Sequence, residues 1–456
     1  MELSAQEKQY IKMTQTPINR LIVKLAVPTV ISMLVTSLYN MADTFFVSQL
    51  GKSASGAVGV VFSLMAIIQA VGFTLGMGAG NIISRSLGDK DYDRANSFAS
   101  CSFFTAIGCG ILLTVFGLIF ITPLMQALGA TDTVVPYAET YARYILIGAP
   151  VMMCSFVMNN VLRSEGKSAF AMVGLVTGGI LNMFLDPIFI FGMNMGIAGA
   201  AIATLISQCI SFCILLHFFI FKKSVVTIGI TRIRNYFYTL SEIIKTGAPS
   251  FCRQGLSSIS TIVLNTQAGL WGGDAALSAM GIVTKIYMSM FSIGIGIGQG
   301  YQPVVGFNYG AKKWHRVKES FMFTYVAATV IMTAFGIMAF IFAPRIIPHF
   351  IDDDTVIQIG ARALRYQAVA APLLSLNVMC NMTYQSTGQK LRAILLSCCR
   401  QGVCLIPMLL ILPPLFHLQG VEMSQACADL LSAAISLPCA ISIVKNVNTK
   451  IAQQTI

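Results

Sequence analysis

Long apolar stretches separated by short polar connections run through the whole 456-residue chain. Each stretch has the length, about 20 residues, that an α-helix needs to cross the hydrocarbon core of a bilayer. The pattern therefore predicts an all-α integral membrane protein with twelve transmembrane helices. The predicted spans are 21–48, 57–82, 97–121, 138–162, 169–192, 197–221, 246–270, 276–302, 320–343, 357–384, 393–416 and 422–444.

Composition agrees with this pattern. The chain is 55% hydrophobic and 11% charged, with a mean hydropathy of +0.74, whereas soluble domains carry about 25% charged residues. A soluble globular protein is therefore excluded. The first apolar run follows about twenty polar residues and lacks a small-residue cleavage site, which argues against a cleaved signal peptide.

The positive charges behind the net charge of +12 lie mainly on one side of the predicted membrane. If the N-terminus is cytoplasmic, nearly all Lys and Arg fall in the inner connections, whereas the outer ones contain Lys52, Arg345, Asp132, Asp274 and the run Asp352 to Asp354. This is the positive-inside pattern, so the charge predicts no nucleic-acid partner. We expect a multi-pass protein of the cell membrane with both termini cytoplasmic.

The second half of the chain repeats the first at a shift of about 222 residues. Matching pairs include Pro28 with Pro249, Gly78 with Gly300, Gly88 with Gly310 and Pro150 with Pro372. We therefore predict two lobes of six helices, residues 1–221 and 246–456, joined by a linker at 222–245. An even number of helices gives both lobes the same orientation, with a pseudo-twofold axis along the membrane normal, as in parallel-repeat transporters.

Two glycine-rich stretches, "GFTLGMGAG" and "SIGIGIGQG", occupy matching places in the halves. Close helix packing is the favoured interpretation. A phosphate-binding loop is the alternative, but "EGKS" lacks the upstream glycine, since Val161 occupies that position. The twelve cysteines form no CxxC pair, so we expect them to be apolar helix residues without a metal or redox role, and we expect no cofactor besides a coupling ion, H⁺ or Na⁺. Because the chain shows no nucleotide-binding motif, we expect the energy for transport to come from an ion gradient or from a separate subunit.

Acidic residues inside the spans are the candidates for function. Placing a charge near the bilayer centre costs roughly 2.5–3.5 kcal/mol. Asp43 and Asp186 each follow a cytoplasmic lysine, Lys24 or Lys167, by 19 residues, which places both roughly 28 Å along their helices. Asn182 lies one turn before Asp186, and Pro187 removes an N–H and loosens the helix there. These features predict a polar pocket with two carboxylates.

Such a pocket suits reversible protonation, and its oxygens suit Na⁺ equally well. The alternatives are a single Asp that stabilises helix packing, or one paired with a cation such as Arg143. At a shift of 222 the partner of Asp186 is Met408, so the site belongs to the first lobe alone. In the second lobe, Lys285 and Asp429 are predicted to form a structural ion pair.

Several motifs together resemble those of multidrug and toxin extrusion (MATE) transporters. They are "ISRSLGDKDYDRA", "LRSEGKS" and "QGYQPVVGFNYGA", and "LDPIFIFG" with Asp43 is similar to the DinF-like branch. The resemblance covers essentially the whole chain. It implies a V-shaped antiporter, not an enzyme, that exports organic cations in exchange for H⁺ or Na⁺.

By motif position, the resemblance assigns the ion-coupling site, or a Na⁺ site, to Asp43, Asn182, Asp186 and Thr204, with Tyr141 nearby. Arg253, Lys285 and Asp429 are the candidate substrate-cavity residues. The stretch "PSFCRQGLSSIS" lacks the glutamate that the sibling branch carries. We expect a monomer that binds small cationic drugs or toxins within the lipid bilayer.

Two other functions remain as alternatives. A lipid-linked precursor flippase or polysaccharide exporter of the same superfamily would need several basic residues in the cleft, and Arg253, Lys285 and Arg400 are the only candidates. A membrane-embedded prenyltransferase would need clustered DxxxD motifs, which "DKDYD" does not match.

Overall fold

The computed structural model describes residues 4–351 and 353–455, so Asp352 of the predicted outer acidic run lies outside the described residues. All regular structure in the described ranges is helical. The α-helices are α1 (Ala5–Gln15), α2 (Ile18–Ser48), α3 (Lys52–Gly88), α4 (Tyr92–Ile119), α5 (Ile121–Ala127), α6 (Val135–Ser164), α7 (Ser168–Pro187), α8 (Gly196–Ile220), α9 (Tyr236–Gly310), α10 (Trp314–Ile346), α11 (Asp354–Thr387), α12 (Lys390–Cys398) and α13 (Ile406–Thr455).

The predicted twelve spans are confirmed. Within the described ranges, 9 helical segments are long and apolar enough to cross a bilayer. Two of these contain a sharp bend, at Gly273 (φ 60°) in α9 and at His417 (φ 53°) in α13, and each provides two spans. The remaining span is α11, which has 34 residues and is more polar than the others.

Contacts between the two halves repeat at the shift seen in the sequence. A Cβ on Gly88 would lie 2.2 Å from the carbonyl oxygen of Phe307, and a Cβ on Gly310 would lie 2.1 Å from that of Arg85. Both contacts require glycine, because only a residue without a side chain lets the backbones approach so closely. Within the glycine-rich stretches, Gly78 and Gly300 make contacts of the same kind, which confirms the packing interpretation.

A second pair of contacts follows the same relation. A Cβ on Gly78 of α3 would lie 3.0 Å from the backbone nitrogen of Gly247, and one on Gly300 of α9 would lie 2.4 Å from the Cα of Ala26, which corresponds to Gly247 at a shift of 221 residues. All four contacts lie near one end of the bundle, which we call the termini end because it carries α1 and the end of α13. The two halves are therefore closed against each other at the termini end.

Helix α1, which the sequence pattern did not predict, contacts both halves at this end. Its start is stabilised by a capping box between Ser4 and Glu7. The side-chain amide of Gln9 donates to the carbonyl of Glu165 (2.5 Å) in the first half. Asn308 of the second half donates to the carbonyl of Met13 (3.2 Å).

The connection between the halves is fixed to the first half by Glu165. Its buried carboxylate accepts hydrogen bonds from the backbone N–H groups of Val225 (2.9 Å) and Val226 (3.1 Å) and from the hydroxyl of Ser224 (2.5 Å). Burial raises the pKa of this carboxyl, while Lys167 and these donors act in the opposite direction. Helix α9 begins at Tyr236, inside the segment predicted as the linker.

Candidate ion site and cavity

A glycine pair brings three helices of the first half together. A Cβ on Gly178 of α7 would lie 3.0 Å from the Cβ of Ser211 on α8. A Cβ on Gly179 would lie 3.0 Å from the ring of Tyr39 on α2. Because α7 packs closely against both neighbours, side chains one turn further along these helices enter a common space.

The helix α7 changes its winding directly after Asp186. Pro187 has no backbone N–H, and the chain continues as a π-helical turn, Ile188–Gly192. A Cβ on Gly199 of α8 would lie 2.7 Å from the carbonyl carbon of Phe189 in this turn. Asp186 therefore lies where the helix widens and where α8 approaches its backbone.

All five residues predicted for the ion site lie in this space, and all are buried. The hydroxyl of Tyr141 donates to Oδ2 of Asp43 (3.3 Å). The side-chain amide of Asn182 donates to Oδ1 of Asp186 (3.0 Å) and contacts Oγ1 of Thr204 (3.3 Å). Four helices, α2, α6, α7 and α8, thus contribute to one polar cluster.

This cluster has more acceptors than donors. Three buried oxygens have no hydrogen-bond partner among the described residues: Oδ1 of Asp43, Oδ1 of Asn182 and Oδ2 of Asp186. Ionised carboxylates only accept hydrogen bonds, and a buried polar atom without a partner costs free energy. A proton or a small cation is what such a group of oxygens lacks.

No basic side chain of the described residues forms an ion pair with either carboxylate. The alternative pairing with Arg143 is wrong, because Arg143 takes part in none of the ion pairs within the described residues. The described ranges also contain no cluster of three His, Cys, Asp or Glu residues. The oxygen cluster is therefore unlike a zinc or other transition-metal centre.

A cavity of about 320 Å³ lies between the halves beside this cluster. Three of its lining residues, Tyr39, Gly178 and Gln208, lie four positions from Asp43, Asn182 and Thr204 respectively. Four residues correspond to about one helical turn. The ion site and the cavity are therefore formed by adjacent turns of the same three helices.

Arg163 holds two amides of the cavity wall, a contact that the sequence pattern does not predict. Its buried guanidinium donates to the side-chain carbonyls of Gln299, in the second half, and Asn159, in the first. Both amides line the cavity. Nearby, the hydroxyl of Ser386 donates to Asn81 across the same interface (3.2 Å).

The three residues predicted for the substrate cavity are not brought together. Arg253 lines the cavity, but Lys285 is exposed. The buried carboxylate of Asp429 pairs with Arg400 (2.8 Å) and accepts a hydrogen bond from Tyr287 (2.6 Å).

The predicted Lys285–Asp429 pair is therefore wrong. Two residues along a helix correspond to a rotation of about 200°. Because Tyr287 faces Asp429, Lys285 faces away from it.

The MatE family model matches residues 28–188 and 249–411 of the chain, one segment in each half. The chain belongs to the MatE family. This MatE protein is therefore a multi-pass membrane transporter. Its assignment to the DinF-like branch stays a prediction.

Similar proteins cover nearly the whole chain. The multidrug export protein MepA of Staphylococcus aureus (strain MRSA252) is 26% identical over 432 residues, which are 94% of this chain and 95% of MepA. The structure of an outward-facing multidrug resistance MATE family transporter superposes with a TM-score of 0.92 at 26% identity, covering 98% of this chain and 100% of that one. A MOP superfamily transporter from Pyrococcus furiosus Vc1 superposes with a TM-score of 0.91 at 27% identity, covering 98% and 100%.

Proposed function

We propose that this MatE protein is a multidrug efflux antiporter that exports organic cations in exchange for H⁺ or Na⁺. In this proposal it lies in the cell membrane with both termini in the cytoplasm. The closure at the termini end then corresponds to a state closed to the cytoplasm. Alternating access follows from rocking of the two halves about the cavity between them.

The observation that carries the proposal is the excess of acceptors in the ion site. Asp43 and Asp186 are buried without a basic partner among the described residues. Three unpartnered oxygens surround the same space. Buried carboxylates that serve only packing are expected to have their hydrogen bonds satisfied, whereas a site that binds and releases a cation has to lack partners in one of its states.

The shared helices support coupling between ion and cargo. Asp43 and Tyr39 lie one turn apart on α2, and Asn182 and Gly178 lie one turn apart on α7. A cation that draws Asp43 and Asp186 together shifts both helices, and the cavity wall shifts with them. Each ligand thereby changes the affinity for the other, which exchange requires.

The surroundings of the cavity support an amphipathic organic cargo. Its lining includes the aromatic rings of Tyr39, Phe73, Phe156 and Phe291, and aromatic faces attract organic cations. The MepA relatives are named multidrug export proteins. The structure of the P. furiosus transporter is described as having a binding pocket of reverse polarity that suggests a different function, so cargo polarity has to be argued from this chain's own cavity.

The flippase or polysaccharide-exporter alternative has less support. A pyrophosphate-linked cargo would require several cationic groups in the cavity. Among the described residues that line the cavity, Arg253 is the only one with a charge.

The test is transport by the purified protein in proteoliposomes. A fluorescent cationic dye is supplied outside vesicles that carry an imposed H⁺ gradient, an imposed Na⁺ gradient or neither. We expect dye uptake driven by one of the two gradients and lost when an ionophore dissipates it. Uptake at the same rate without any gradient would overturn the proposal.

A further inference from the structure

The cavity between the halves contains an unneutralised cation. Among the described lining residues, Arg253 carries the only charge, and no carboxylate faces it across the cavity. Arg253 takes part in none of the ion pairs in the described ranges. Neither ion-site carboxylate lines the cavity: Asp43 lies about one turn beyond Tyr39 on α2, and Asp186 lies about two turns beyond Gly178 on α7.

The hydrogen-bonding partners of Arg253 are also poor. Its one described contact is from Nη2 to the sulfur of Met77 (3.8 Å), and a thioether is a weak acceptor. A guanidinium has five N–H donors in a planar fork that matches a carboxylate. Most of these donors are therefore available to whatever fills the cavity.

Two other arginines, unlike Arg253, have strong polar partners within the protein. Arg400 is neutralised by Asp429 (2.8 Å), and Arg163 donates to the amide oxygens of Asn159 and Gln299. Both have partners that the protein itself supplies. Arg253 has no such partner among the described residues, and it lines the cavity.

The neighbours of Arg253 complete a two-part binding surface. Gln254 follows it on α9 and also lines the cavity, which adds an amide beside the guanidinium. The rings of Tyr39, Phe73 and Phe156 line the cavity from the first half. An aromatic cargo with an anionic group would therefore contact both halves at once, with its rings on one and its anion on the other.

We propose that Arg253 binds a carboxylate on the cargo, so that the preferred cargo is an aromatic zwitterion rather than a simple organic cation. This inference rests on the proposed function. A cargo that fills the cavity displaces the water around the guanidinium. If the cargo has no acceptor, the charge is left desolvated, whereas a carboxylate replaces the lost water. Sites built to bond a polar group reject analogues that lack it.

The test uses two dyes that differ in one group. Tetramethylrhodamine carries a free carboxylate, and its methyl ester is a simple cation with the same ring system. Binding to the purified protein is measured by fluorescence polarisation, and gradient-driven uptake is measured in proteoliposomes. The variants are Arg253→Gln, Arg253→Lys and, as a matched control, Lys285→Gln, which removes an exposed charge from the same helix.

We expect the wild type to bind the acid more tightly than the ester. Arg253→Gln should weaken binding of the acid at least about tenfold and leave the ester within about twofold. Arg253→Lys should retain part of the preference, since the charge stays while the fork is lost. Lys285→Gln should match the wild type.

The outcomes separate the two proposals. If the ester is taken up with the gradient but the acid is not preferred, or if Arg253→Gln affects both dyes equally, the inference is wrong while the antiporter proposal stands. If neither dye is moved by either gradient, the proposed function itself fails.

Discussion

The guanidinium of Arg163 donates a hydrogen bond across the interface between the halves to the side-chain carbonyl of Gln299. Its second amide partner, Asn159, lies on its own helix α6. No carboxylate neutralises this buried charge within the described residues. The closed arrangement at the termini end therefore buries a cation that depends on amide oxygens for its stability.

We predict that Gln299→Leu weakens closure at the termini end. A buried donor left without its partner costs about 1–3 kcal/mol, so the population should shift toward a state in which water reaches Arg163. Hydrogen–deuterium exchange should increase in peptides covering 78–88 and 300–310, where the halves meet. Gln208→Leu, which also alters the cavity lining but lies within the first half, is the control. Unchanged protection in Gln299→Leu would refute the role of this contact.

A second prediction concerns the ion site. Asp186→Asn should abolish gradient-driven efflux while leaving expression and dye binding intact. The amide can neither release a proton nor supply a charge to Na⁺, and its NH₂ group supplies permanent donors to a cluster whose acceptor oxygens otherwise lack them. Drug resistance of cells and dye uptake by proteoliposomes measure the effect. Asp93→Asn, which alters an exposed acid paired with Arg234, should behave as wild type, and normal resistance in Asp186→Asn would remove Asp186 from the coupling site.

The two ion-site carboxylates could be found in the sequence because a carboxylate in an apolar stretch is conspicuous, whereas Thr204 and Tyr141 were assigned only through the resemblance to MATE transporters. Asp43 and Asp186 are the only acids in their predicted spans, and their equal distance from basic residues predicted a common level. The repeat was equally visible, since glycines required by close backbone contact, such as Gly88 and Gly310, recur at a constant shift. Both features depend only on the positions of residues along the chain.

What the sequence could not supply was the choice of partners between helices. Arg163 lies in "LRSEGKS" beside other polar residues, so it resembles an inner-loop charge, although the fold buries it in the interface. Lys285 was the predicted partner of Asp429, but the structure pairs Asp429 with Arg400, because the rotation of α9 turns Lys285 away. Helix α1 is short and polar, and its contacts with Glu165 and Asn308 are tertiary.

A third prediction addresses the buried pair in the second half. Breaking a buried ion pair by removing one partner costs about 3–5 kcal/mol, because the remaining charge is uncompensated. Asp429→Ala should therefore lower the midpoint of thermal unfolding in detergent by several degrees. The double variant Arg400→Met with Asp429→Leu should recover much of the loss, since it removes both charges.

Lys285→Ala is the matched control for this pair, because it removes an exposed charge near the same site and should leave the unfolding midpoint unchanged. A coupling role for Asp429 would give a different result. In that case Asp429→Asn would keep its thermal stability and lose ion-driven transport.

The last prediction concerns α1, which contacts the first half through Gln9 and the second through Met13 at the termini end. A segment attached to both halves stabilises the state in which they are closed there. Removing residues 2–15 should therefore favour opening at this end and raise hydrogen–deuterium exchange around 165–167 and 308–316. The point variant Gln9→Leu should do the same to a smaller degree, since one hydrogen bond contributes about 0.5–1.5 kcal/mol. Lys8→Gln changes an exposed neighbour on α1 and should have no effect. If the truncated protein keeps wild-type exchange at both segments, α1 does not restrain the two halves.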